Sequence, residues 1–294
     1  MRVLLFGAGG MLARDLVSHT PPSIEVVPHP RSATDVTSEQ QVAAALRDAR
    51  PDLVINCAAY TNVDRAESES AVAFAVNGEG PAIIGRAVER WSRETRVVHY
   101  STDYVFNGRS TLPYGEEDGP DPLGAYGASK LAGERALAAS GARYLIIRTQ
   151  WLFGLTGRSF PRTMWDRARA GQATRVVNDQ RGRPTYTVDL ARSTWLLFTG
   201  EASRERIRPV TILHVANAGS ATWYDVASRV FEAAAAGRAL TACGTADYPS
   251  PAPRPVHSVL DTTRFESVSG DQLPSWQDAV DRFLDQLRAE EASR

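Results

Sequence analysis

Short apolar runs alternate with longer amphipathic stretches through the first half of the chain. The runs are rich in β-branched residues, and they predict strands at Val3–Phe6, Ile24–Val27, Leu53–Ile55, Val97–Tyr100 and Tyr144–Ile147. The stretches between them predict helices at Met11–Ser18, Glu39–Ala49, Ala71–Arg93 and Ala125–Ala139. Strands that are separated in this way by helices form βαβ units, which build a doubly wound parallel sheet. The pattern therefore predicts an α/β fold.

After Arg148 the pattern becomes less regular, because glycine and proline interrupt the apolar runs more often. Mixed stretches follow at Ile212–Ala216, Tyr224–Ala236 and Trp276–Ala289. We predict one domain in residues 1–150 and a smaller, interleaved α/β domain mainly in residues 151–294, with later segments returning to the first domain. The last residues, 290–294, are expected to be frayed, as chain ends commonly are.

A glycine-rich turn follows the first predicted strand directly. It reads Gly7-Ala8-Gly9-Gly10-Met11-Leu12 and leads into the first predicted helix. Such a turn lets backbone N–H groups approach a pyrophosphate, and the dipole of the following helix favours the anion. Residues 1–150 are therefore predicted to be an NAD(P)-binding domain of Rossmann type.

The end of the second predicted strand bears on the choice between the two nicotinamide cofactors. An acidic residue at that place would bind the 2′-hydroxyl of the adenosine ribose and select NAD. The chain has Pro28-His29-Pro30-Arg31-Ser32 there instead. Arg31 can form a charge-assisted pair with the 2′-phosphate of NADP. We therefore expect NADPH to be preferred, with NADH left possible.

The chain has a single lysine among its 33 basic residues, Lys130, and it lies four residues after Tyr126. Residues at this spacing share one face of a helix, so the phenol and the ammonium can form one unit. Thr102 follows a predicted strand, at the carboxyl edge of the sheet where α/β proteins bind ligands. These three side chains are the predicted catalytic group.

The chemistry of these three side chains is that of a carbonyl reductase. A hydride that reaches a ketone carbon leaves an alkoxide, and a phenol such as Tyr126 can protonate it. An ammonium at roughly 5 Å, with an effective dielectric near 20, lowers a phenol pKa by about two units. We expect Lys130 to act on Tyr126 in this way and also to bind the nicotinamide ribose.

The overall composition excludes several other classes of protein. With 33 basic and 34 acidic residues the net charge is −1, so neither nucleic acid nor an anionic membrane is an expected partner. No apolar run is long enough to cross a bilayer, and residues 2–6 resemble a strand rather than a signal sequence, so we expect a cytoplasmic protein. Cys57, Cys243 and the five histidines are dispersed, and no metal is predicted.

Several strings in the chain resemble the motifs of one family when they are taken in order. They are Cys57–Glu67, Ser101–Gly108, Pro120-x-Pro122, Tyr126–Glu134, Arg148–Trp151, Asp179–Thr185, His214–Gly219, Thr222-Trp223 and Arg254–Leu260. Each string is short, but their ordered spacing covers nearly the whole chain. The chain resembles the dTDP-4-dehydrorhamnose reductase family, which lies within the extended short-chain dehydrogenase/reductase superfamily.

This resemblance implies an activity and assigns residues to it. The activity is NADPH-dependent reduction of the 4-keto group of a nucleotide-linked 6-deoxysugar, foremost dTDP-4-dehydro-L-rhamnose to dTDP-L-rhamnose. Together with Arg31, the residues implied to bind the cofactor are Gly7, Gly10, Met11, Leu12, Asp35, Val36, Ala58, Ala59, Tyr60, Tyr126 and Lys130. Those implied to contact the substrate are Val63, Thr102, Asp103, Tyr104, Trp151, Arg181 and Ser258. The resemblance leaves open whether the protein is a monomer or a homodimer.

Alternatives remain at this stage. Gly124 and His257 stand where relatives often have asparagine, so the substrate could be a different NDP-4-ketosugar. A sugar-nucleotide 4,6-dehydratase would need an acid/base pair, typically Asp-Glu, after the threonine, whereas this chain has Asp103 and Tyr104. An epimerase is less clearly excluded. A non-catalytic NADP-binding subunit that resembles the regulatory β subunit of methionine adenosyltransferase is the alternative from another functional class.

Overall fold

The computed structural model describes residues 1–200, 205–208, 210–236 and 239–292. The central sheet has six parallel strands: β1 (Arg2–Phe6), β2 (Glu25–His29), β3 (Leu53–Asn56), β4 (Arg96–Thr102), β5 (Arg143–Thr149) and β10 (Ile212–His214). Their order across the sheet is β10-β5-β4-β3-β1-β2. The five strands predicted in the first half are present, and the predicted α/β class with a Rossmann-type sheet is confirmed.

The remaining strands are short, and helices connect most of the elements. The short strands are β6 (Leu152–Phe153), β7 (Thr174–Val177), β8 (Arg181–Gly182), β9 (Thr185–Tyr186), β11 (Ala221–Thr222) and β12 (Leu240–Cys243). The helices are α1 (Met11–Ser18), α2 (Glu39–Ala49), α3 (Val63–Ala66), α4 (Ser70–Phe74), α5 (Gly80–Trp91), α6 (Ala125–Ala138), α7 (Phe160–Arg169), α8 (Thr187–Thr199), α9 (Trp223–Ala233), α10 (Thr263–Ser269) and α11 (Trp276–Ala292).

Helices cover both faces of the central sheet, which explains why its strands are apolar on both sides. Leu5 and Ile55 belong to the core on one face, whereas Leu4 and Val54 belong to the core on the other. Helix α8 comes from the second half of the chain, yet Trp195 on it packs in the first of these cores and donates its indole N–H to the Leu16 carbonyl at 3.0 Å. Later segments of the chain thus help to build the first core.

A separate apolar core lies in the second half of the chain. It is built around buried aromatic side chains, which include Phe153, Trp165, Tyr186, Phe231 and Phe283. Three two-stranded sheets accompany this core: β6 pairs with β9 and β7 with β12, both parallel, while β8 pairs with β11 in antiparallel orientation. The division of the chain near residue 150 stays a prediction.

The helix predicted at Ala71–Arg93 is present as an uninterrupted helical stretch from Ser70 to Trp91, but it is not α-helical throughout. It consists of α4, a π-helical turn at Ala75–Glu79, and α5. Pro81 in the first turn of α5 has no N–H to donate to the preceding turn. Asn77 is buried in the π-helical turn and directs its side chain away from its own helix, towards Tyr60 and Ser129. Such wide turns are common at functional sites, and this one lies beside α6.

The expectation of a frayed end at residues 290–294 is wrong for most of that segment, because α11 continues to Ala292. The carboxylate of Glu291 accepts a hydrogen bond of 2.8 Å from the Trp165 indole, which attaches the last turn of α11 to α7. Residues 293–294 lie outside the described part of the chain.

Helix α6 packs unusually close to its neighbours at two glycines. A Cβ atom at Gly127 would lie 2.1 Å from the Tyr104 carbonyl oxygen, and one at Gly133 would lie 2.0 Å from the Asn77 carbonyl oxygen. Both obstacles are backbone atoms, which cannot rotate away as a side chain can. Glycine at these positions therefore lets α6 approach the end of β4 and the π-helical turn.

We expect Gly133→Ala to destabilise the protein by about 2 kcal/mol, the cost of forcing extra volume into a packed site. Alanine is otherwise the better helix former, by about 1 kcal/mol, so a loss of stability would identify the steric contact as its cause. Gly78→Ala is the matched control, because a Cβ there would meet its nearest neighbour at an ordinary 3.5 Å. The measurement is urea unfolding of both variants, and equal stabilities would contradict the packing argument.

Candidate active site

The glycine-rich turn brings the ends of three central strands together. Gly7 has a positive φ of 75°, and a Cβ atom there would lie 2.5 Å from the backbone nitrogen of Ala58. The N–H groups of Gly7 and Ala8 both donate to the carbonyl of His29, the last residue of β2. The following Gly9 and Gly10 are exposed at the start of α1. The turn thus lies at the carboxyl edge of the sheet, where the fold binds dinucleotides.

Four residues predicted to bind the cofactor flank this turn. Leu12 is buried in the core under the turn, so its side chain is not free to contact a ligand. Met11 is partly exposed, and its sulfur would lie 3.0 Å from a Cβ atom at Gly154. Ala59 is exposed, and Val36 is buried against Gly80. Leu12 and Val36 thus belong to the two cores on opposite faces of the sheet.

Arg31 is exposed just after β2, within electrostatic range of Asp35. Hydrogen bonds from the Thr37 backbone N–H and hydroxyl lower the pKa of Asp35, and the positive charge of Arg31 lowers it further. The Asp35 carboxylate is therefore held in place as an anion by its own turn. This leaves the Arg31 guanidinium at the surface beside the end of β2.

Asn77 positions the loop after β3, and sequence reasoning missed it. Its side-chain oxygen accepts from the Tyr60 N–H at 2.8 Å, and its amide donates to the Tyr60 carbonyl and to the Ser129 hydroxyl, both at 3.0 Å. Ser129 in turn donates to the Tyr126 carbonyl at 2.8 Å. One buried amide therefore joins the Cys57–Tyr60 loop to the first turn of α6. The available signal was Asn77-Gly78 inside a predicted helix.

Thr102 and Tyr126 come together at the end of β4. Burial raises the pKa of the Tyr126 phenol, while its interaction with the Thr102 hydroxyl acts in the opposite direction. The Tyr104 ring packs edge-on against the Tyr126 ring, with centroids 5.5 Å apart. Thr102 also accepts a hydrogen bond from the Tyr104 N–H. The threonine and the phenol are thus a contiguous pair, as the sequence predicts.

Lys130 is 2% exposed and directs its amine towards β4. The amine donates to the Tyr100 carbonyl at 2.5 Å and lies 3.3 Å from His99 Nε2. Burial lowers the pKa of Lys130 to about 8. The sequence predicts that Lys130 lowers the Tyr126 pKa, whereas in the structure Thr102 has that effect. Lys130 and Tyr126 share a helix face, but the Lys130 amine is hydrogen-bonded to β4 and not to the phenol.

Asp103 and Ser258 were predicted to contact substrate, yet both are 1% exposed. The Ser258 hydroxyl donates to the Asp103 carboxylate at 2.6 Å, and the Thr102 hydroxyl donates to its other oxygen at 3.1 Å. Gln150 bonds the Ser258 carbonyl at 3.0 Å. Burial raises the pKa of Asp103 to about 7. Asp103, Ser258 and Gln150 form a buried network that fixes Thr102 from the interior side. A direct substrate contact by Asp103 or Ser258 does not agree with this burial.

Arg254 connects Tyr104 to helix α3, a role that its sequence context does not indicate. Arg254 donates to the Tyr104 hydroxyl at 3.0 Å and to the Asp64 carboxylate at 2.9 Å. Asp64 belongs to α3, which begins with the predicted substrate residue Val63. Arg254 therefore fixes the position of Tyr104 relative to α3.

Trp151 has a positive φ of 50°, a conformation that is strained for a bulky residue. Its ring stacks on Trp223, with centroids 3.6 Å apart and planes within 8°. A Cβ atom at Gly182 would lie 2.6 Å from the Trp151 ring, so glycine is required there. Trp223 covers one face of Trp151, and a sugar could reach only what remains of the ring.

Arg181 is exposed at the start of the small β8 strand and is paired with the segment around Ser258. Its N–H donates to the Val256 carbonyl at 2.7 Å, and its carbonyl accepts from the Ser258 N–H at 3.0 Å. The side chain of His257 lies within electrostatic range of Arg181, and burial lowers the pKa of that imidazole. Arg181 is thus an exposed positive charge next to the segment around Ser258.

At the start of α6, Glu67 supplies the N-terminal cap that Gly124 lacks. Gly124 is the N-cap residue and has no side chain with which to cap the helix. The Glu67 carboxylate instead accepts from the Ala125 N–H at 2.8 Å, and it occupies the space that a Cβ atom on Gly124 would enter. An acidic group at a helix N-terminus also interacts favourably with the helix dipole.

In residues 1–200, 205–208, 210–236 and 239–292, no three or more His, Cys, Asp or Glu side chains are placed to hold a metal ion. The absence of a metal stays a prediction. Within the same ranges, no helix is long and apolar enough to span a membrane.

A six-stranded parallel sheet with a glycine turn, a threonine and a Tyr/Lys helix at its carboxyl edge defines an extended short-chain dehydrogenase/reductase. Residues 1–289 match the family described as RmlD substrate binding domain. The chain belongs to the dTDP-4-dehydrorhamnose reductase family.

Individual relatives cover nearly the whole chain. A probable dTDP-4,6-dihydroxy-2-methyloxan-3-one 4-ketoreductase of Streptomyces antibioticus is 43% identical over 99% of this chain and 97% of its own length. The dTDP-4-dehydrorhamnose reductase of Escherichia coli strain K12 is 37% identical over 98% of each chain. The crystal structure of the Bacillus anthracis dTDP-4-dehydrorhamnose reductase in complex with NADP aligns with a TM-score of 0.89, at 32% identity, over 97% of this chain and 99% of that one.

The Trp151–Trp223 stack predicts a measurable energetic coupling. We expect Trp151→Leu and Trp223→Leu to be non-additive in the free energy of unfolding, with a coupling of about 1 kcal/mol, because stacked rings contribute beyond their buried area. Urea unfolding of both single variants and the double variant gives this value. The control cycle pairs Trp223→Leu with a change at the more exposed Trp91, and it should be additive. Additivity in both cycles would contradict the stack.

Proposed function

We propose that this protein is an NADPH-dependent ketoreductase that acts on the 4-keto group of dTDP-4-dehydro-L-rhamnose and forms dTDP-L-rhamnose. The observation that carries the proposal is the convergence of Thr102 and Tyr126 at the end of β4, beside a glycine turn that fits a dinucleotide. Membership of the reductase family over residues 1–289 supports the substrate class.

The residues present fit a nicotinamide cofactor. The carboxyl edge of the sheet offers an exposed Gly9 with no neighbouring atom within 4 Å of a Cβ position, so a ligand can approach the backbone closely. We propose that Gly7 and Gly10 cradle the pyrophosphate and that Asp35, Arg31 and the Ala58–Tyr60 loop bind the adenosine end. NADPH supplies the hydride when it is bound.

We assign the proton transfer to Tyr126. The phenol is fixed between Thr102 and the Tyr104 ring, so it can donate its proton to the oxygen that becomes an alkoxide. The Thr102 hydroxyl has a single proton, which it donates to Asp103 in the structure. We propose that it turns this proton towards the substrate oxygen when the ketosugar binds. Lys130 lies one helical turn further on, and we propose that the N–H of its amine that β4 does not use binds the cofactor ribose.

We expect Tyr126→Phe to lower kcat for ketosugar reduction by about a hundredfold or more, the scale of general-acid catalysis, and to leave the Kd for NADPH nearly unchanged. The assay follows NADPH oxidation with dTDP-4-dehydrorhamnose that is generated in situ. Tyr248→Phe is the control, since Tyr248 is 51% exposed and outside the site.

The wild-type protein decides between an enzyme and a regulatory subunit in the same assay. An enzyme turns over many equivalents of NADPH, whereas a binding subunit would bind NADPH and leave it unoxidised with every ketosugar offered. The latter outcome would exclude the proposed function.

A second candidate substrate rests on the 43% identical Streptomyces antibioticus relative, whose name describes a 4-ketoreductase of a different dTDP-linked sugar. The chemistry at C4 is the same in both cases. A panel of dTDP-4-ketosugars that differ at C2 and C3, compared by kcat/KM, identifies the substrate. Preference for a sugar other than 4-dehydrorhamnose would favour this second candidate.

NADPH preference is tested at Arg31. We expect Arg31→Ala to raise the KM for NADPH by about tenfold and to leave that for NADH unchanged, because only NADPH has the 2′-phosphate that a guanidinium binds. Arg47→Ala, at an exposed arginine on α2, is the matched control. An equal effect of Arg31→Ala on both cofactors would show that Arg31 does not bind the 2′-phosphate.

We further infer a cytoplasmic protein, since nucleotide sugars are made where nucleotides are available, and a monomer or homodimer in solution. Light scattering at several protein concentrations distinguishes the two oligomeric states.

A further inference from the structure

Four polar groups form a buried chain that runs from the loop after β3 to the amine of Lys130. The Ala58 N–H lies 3.0 Å from Asn56 Oδ1, and Asn56 Nδ2 lies 3.1 Å from His99 Nδ1. His99 Nε2 lies 3.3 Å from Lys130 Nζ. Asn56 is 1% exposed, His99 is 0% and Lys130 is 2%. Water therefore does not intervene, and each group must match its neighbour in donor or acceptor character.

The direction of the first hydrogen bond is fixed by the backbone. An amide N–H can only donate, so the Asn56 atom that faces Ala58 must be its carbonyl oxygen. The Asn56 amide group then faces His99 Nδ1 and donates to it. The opposite orientation of Asn56 would place two donors against each other in a buried site, which costs about 1–3 kcal/mol.

This orientation also fixes the tautomer of His99. Because Nδ1 accepts from Asn56, it carries no proton, and the proton of the neutral ring is on Nε2. Burial agrees with a neutral ring, since it lowers the pKa of His99 well below the ordinary value. The ring thus presents an N–H donor to Lys130.

An ammonium has three donors and no acceptor, so a charged Lys130 would face the Nε2–H of His99 donor to donor. An uncharged amine has one lone pair and two N–H groups. The lone pair can accept from His99, one N–H donates to the Tyr100 carbonyl, and one N–H remains free. The hydrogen-bond geometry therefore matches the uncharged amine.

We propose that Asn56 and His99 are positioning residues that stabilise the uncharged form of Lys130, so that this lysine titrates close to the working pH instead of bearing a permanent charge. The inference concerns the site of the proposed function. It gives Lys130 the ability to gain and lose a proton during the reductase cycle, beyond a fixed electrostatic role.

The other groups around Lys130 act in both directions on its pKa. Burial lowers it, and the negative charges of Glu134 and of an ionised Cys57 would raise it. Glu134 is itself bound to Arg148, at 2.7 Å, in a pair whose members are 4% and 3% exposed. Burial raises the pKa of the Cys57 thiol, so this group is neutral. His99 is thus the neighbour that disfavours the charged amine, because its Nε2–H donor faces the Lys130 amine.

The single lysine in the chain makes a direct measurement possible. Protein grown with lysine labelled with ¹³C at Cε has one side-chain signal of this type, and its shift as a function of pH gives the pKa of Lys130 without assignment. The ¹⁵N shifts of the histidine rings report the tautomer of His99 in the unaltered protein. Neither measurement needs a ketosugar, so their outcome is independent of whether the proposed reduction occurs.

Two variants test the direction of the effect. His99→Phe removes the Nε2–H donor, and we expect the Lys130 pKa to rise by about one unit. Asn56→Asp keeps the volume but accepts from both Ala58 and His99, which moves the ring proton to Nδ1 and turns Nε2 into an acceptor. We expect a rise of at least one unit, and thermal midpoints show whether both variants are folded.

The double variant Asn56→Asp/His99→Phe distinguishes an effect of the His99 tautomer on the Lys130 pKa from a direct effect of the new negative charge at position 56. If Asn56→Asp acts through the ring, it should add much less to the Lys130 pKa when His99 is already phenylalanine. In the reductase assay, the alkaline limit of the kcat–pH profile should move upward in the same variants, because the charge of Lys130 is lost only at higher pH. A fall of the Lys130 pKa in His99→Phe, or a His99 ring protonated on Nδ1 in the unaltered protein, would overturn the proposal.

Discussion

The close approach of α6 to the backbone of its neighbours is the constraint on which the candidate site depends. Gly127 and Gly133 bring this helix against the Tyr104 and Asn77 carbonyl groups, at distances that no Cβ atom permits. Tyr126 directly precedes Gly127, and Lys130 lies between Gly127 and Gly133. Their reach towards β4 is therefore set by backbone contacts rather than by side-chain flexibility. Buried hydrogen bonds from Asn77 and Ser129 then hold the helix in register.

Behind the reactive edge, polar residues from distant parts of the sequence meet in a buried layer. Asp103 follows β4, Gln150 follows β5 and Ser258 lies more than a hundred residues later, yet they share hydrogen bonds. A partly satisfied network in such a place would destabilise the protein, whereas a satisfied one restricts the site to a single arrangement. This layer explains how two interleaved parts of the chain can present one rigid threonine to a ligand.

Much of the fold could be predicted from the sequence because it depends on local patterns. The apolar runs of β1 and β3 and the glycines at residues 7–10 act within a few residues of one another. The π-helical turn could not be predicted, since it depends on a contact between Asn77 and Tyr60 that only the folded chain brings together. The same holds for Lys130, whose helix spacing from Tyr126 indicated a partner, while burial beside His99 determines where its amine points.

The substrate side was predicted less well than the catalytic side for a related reason. Asp103 and Ser258 lie in matching strings of the family, but a string does not reveal which side of a strand faces the interior. The substrate contact of Trp151 stays a prediction, and its stack with Trp223 depends on a residue more than seventy positions away.

The contact between Gly124 and Glu67 couples two distant parts of the chain. A capping side chain at position 124 needs the space that the Glu67 carboxylate now occupies, and a shorter residue at position 67 would leave the start of α6 without its acceptor. The helix start can thus be capped either by its own N-cap side chain or by a carboxylate from α3's flank, but the two acceptors compete for one space. In this chain the acceptor of the first α6 N–H comes from a residue 58 positions away, so the start of the helix that bears Tyr126 is coupled to the segment after α3.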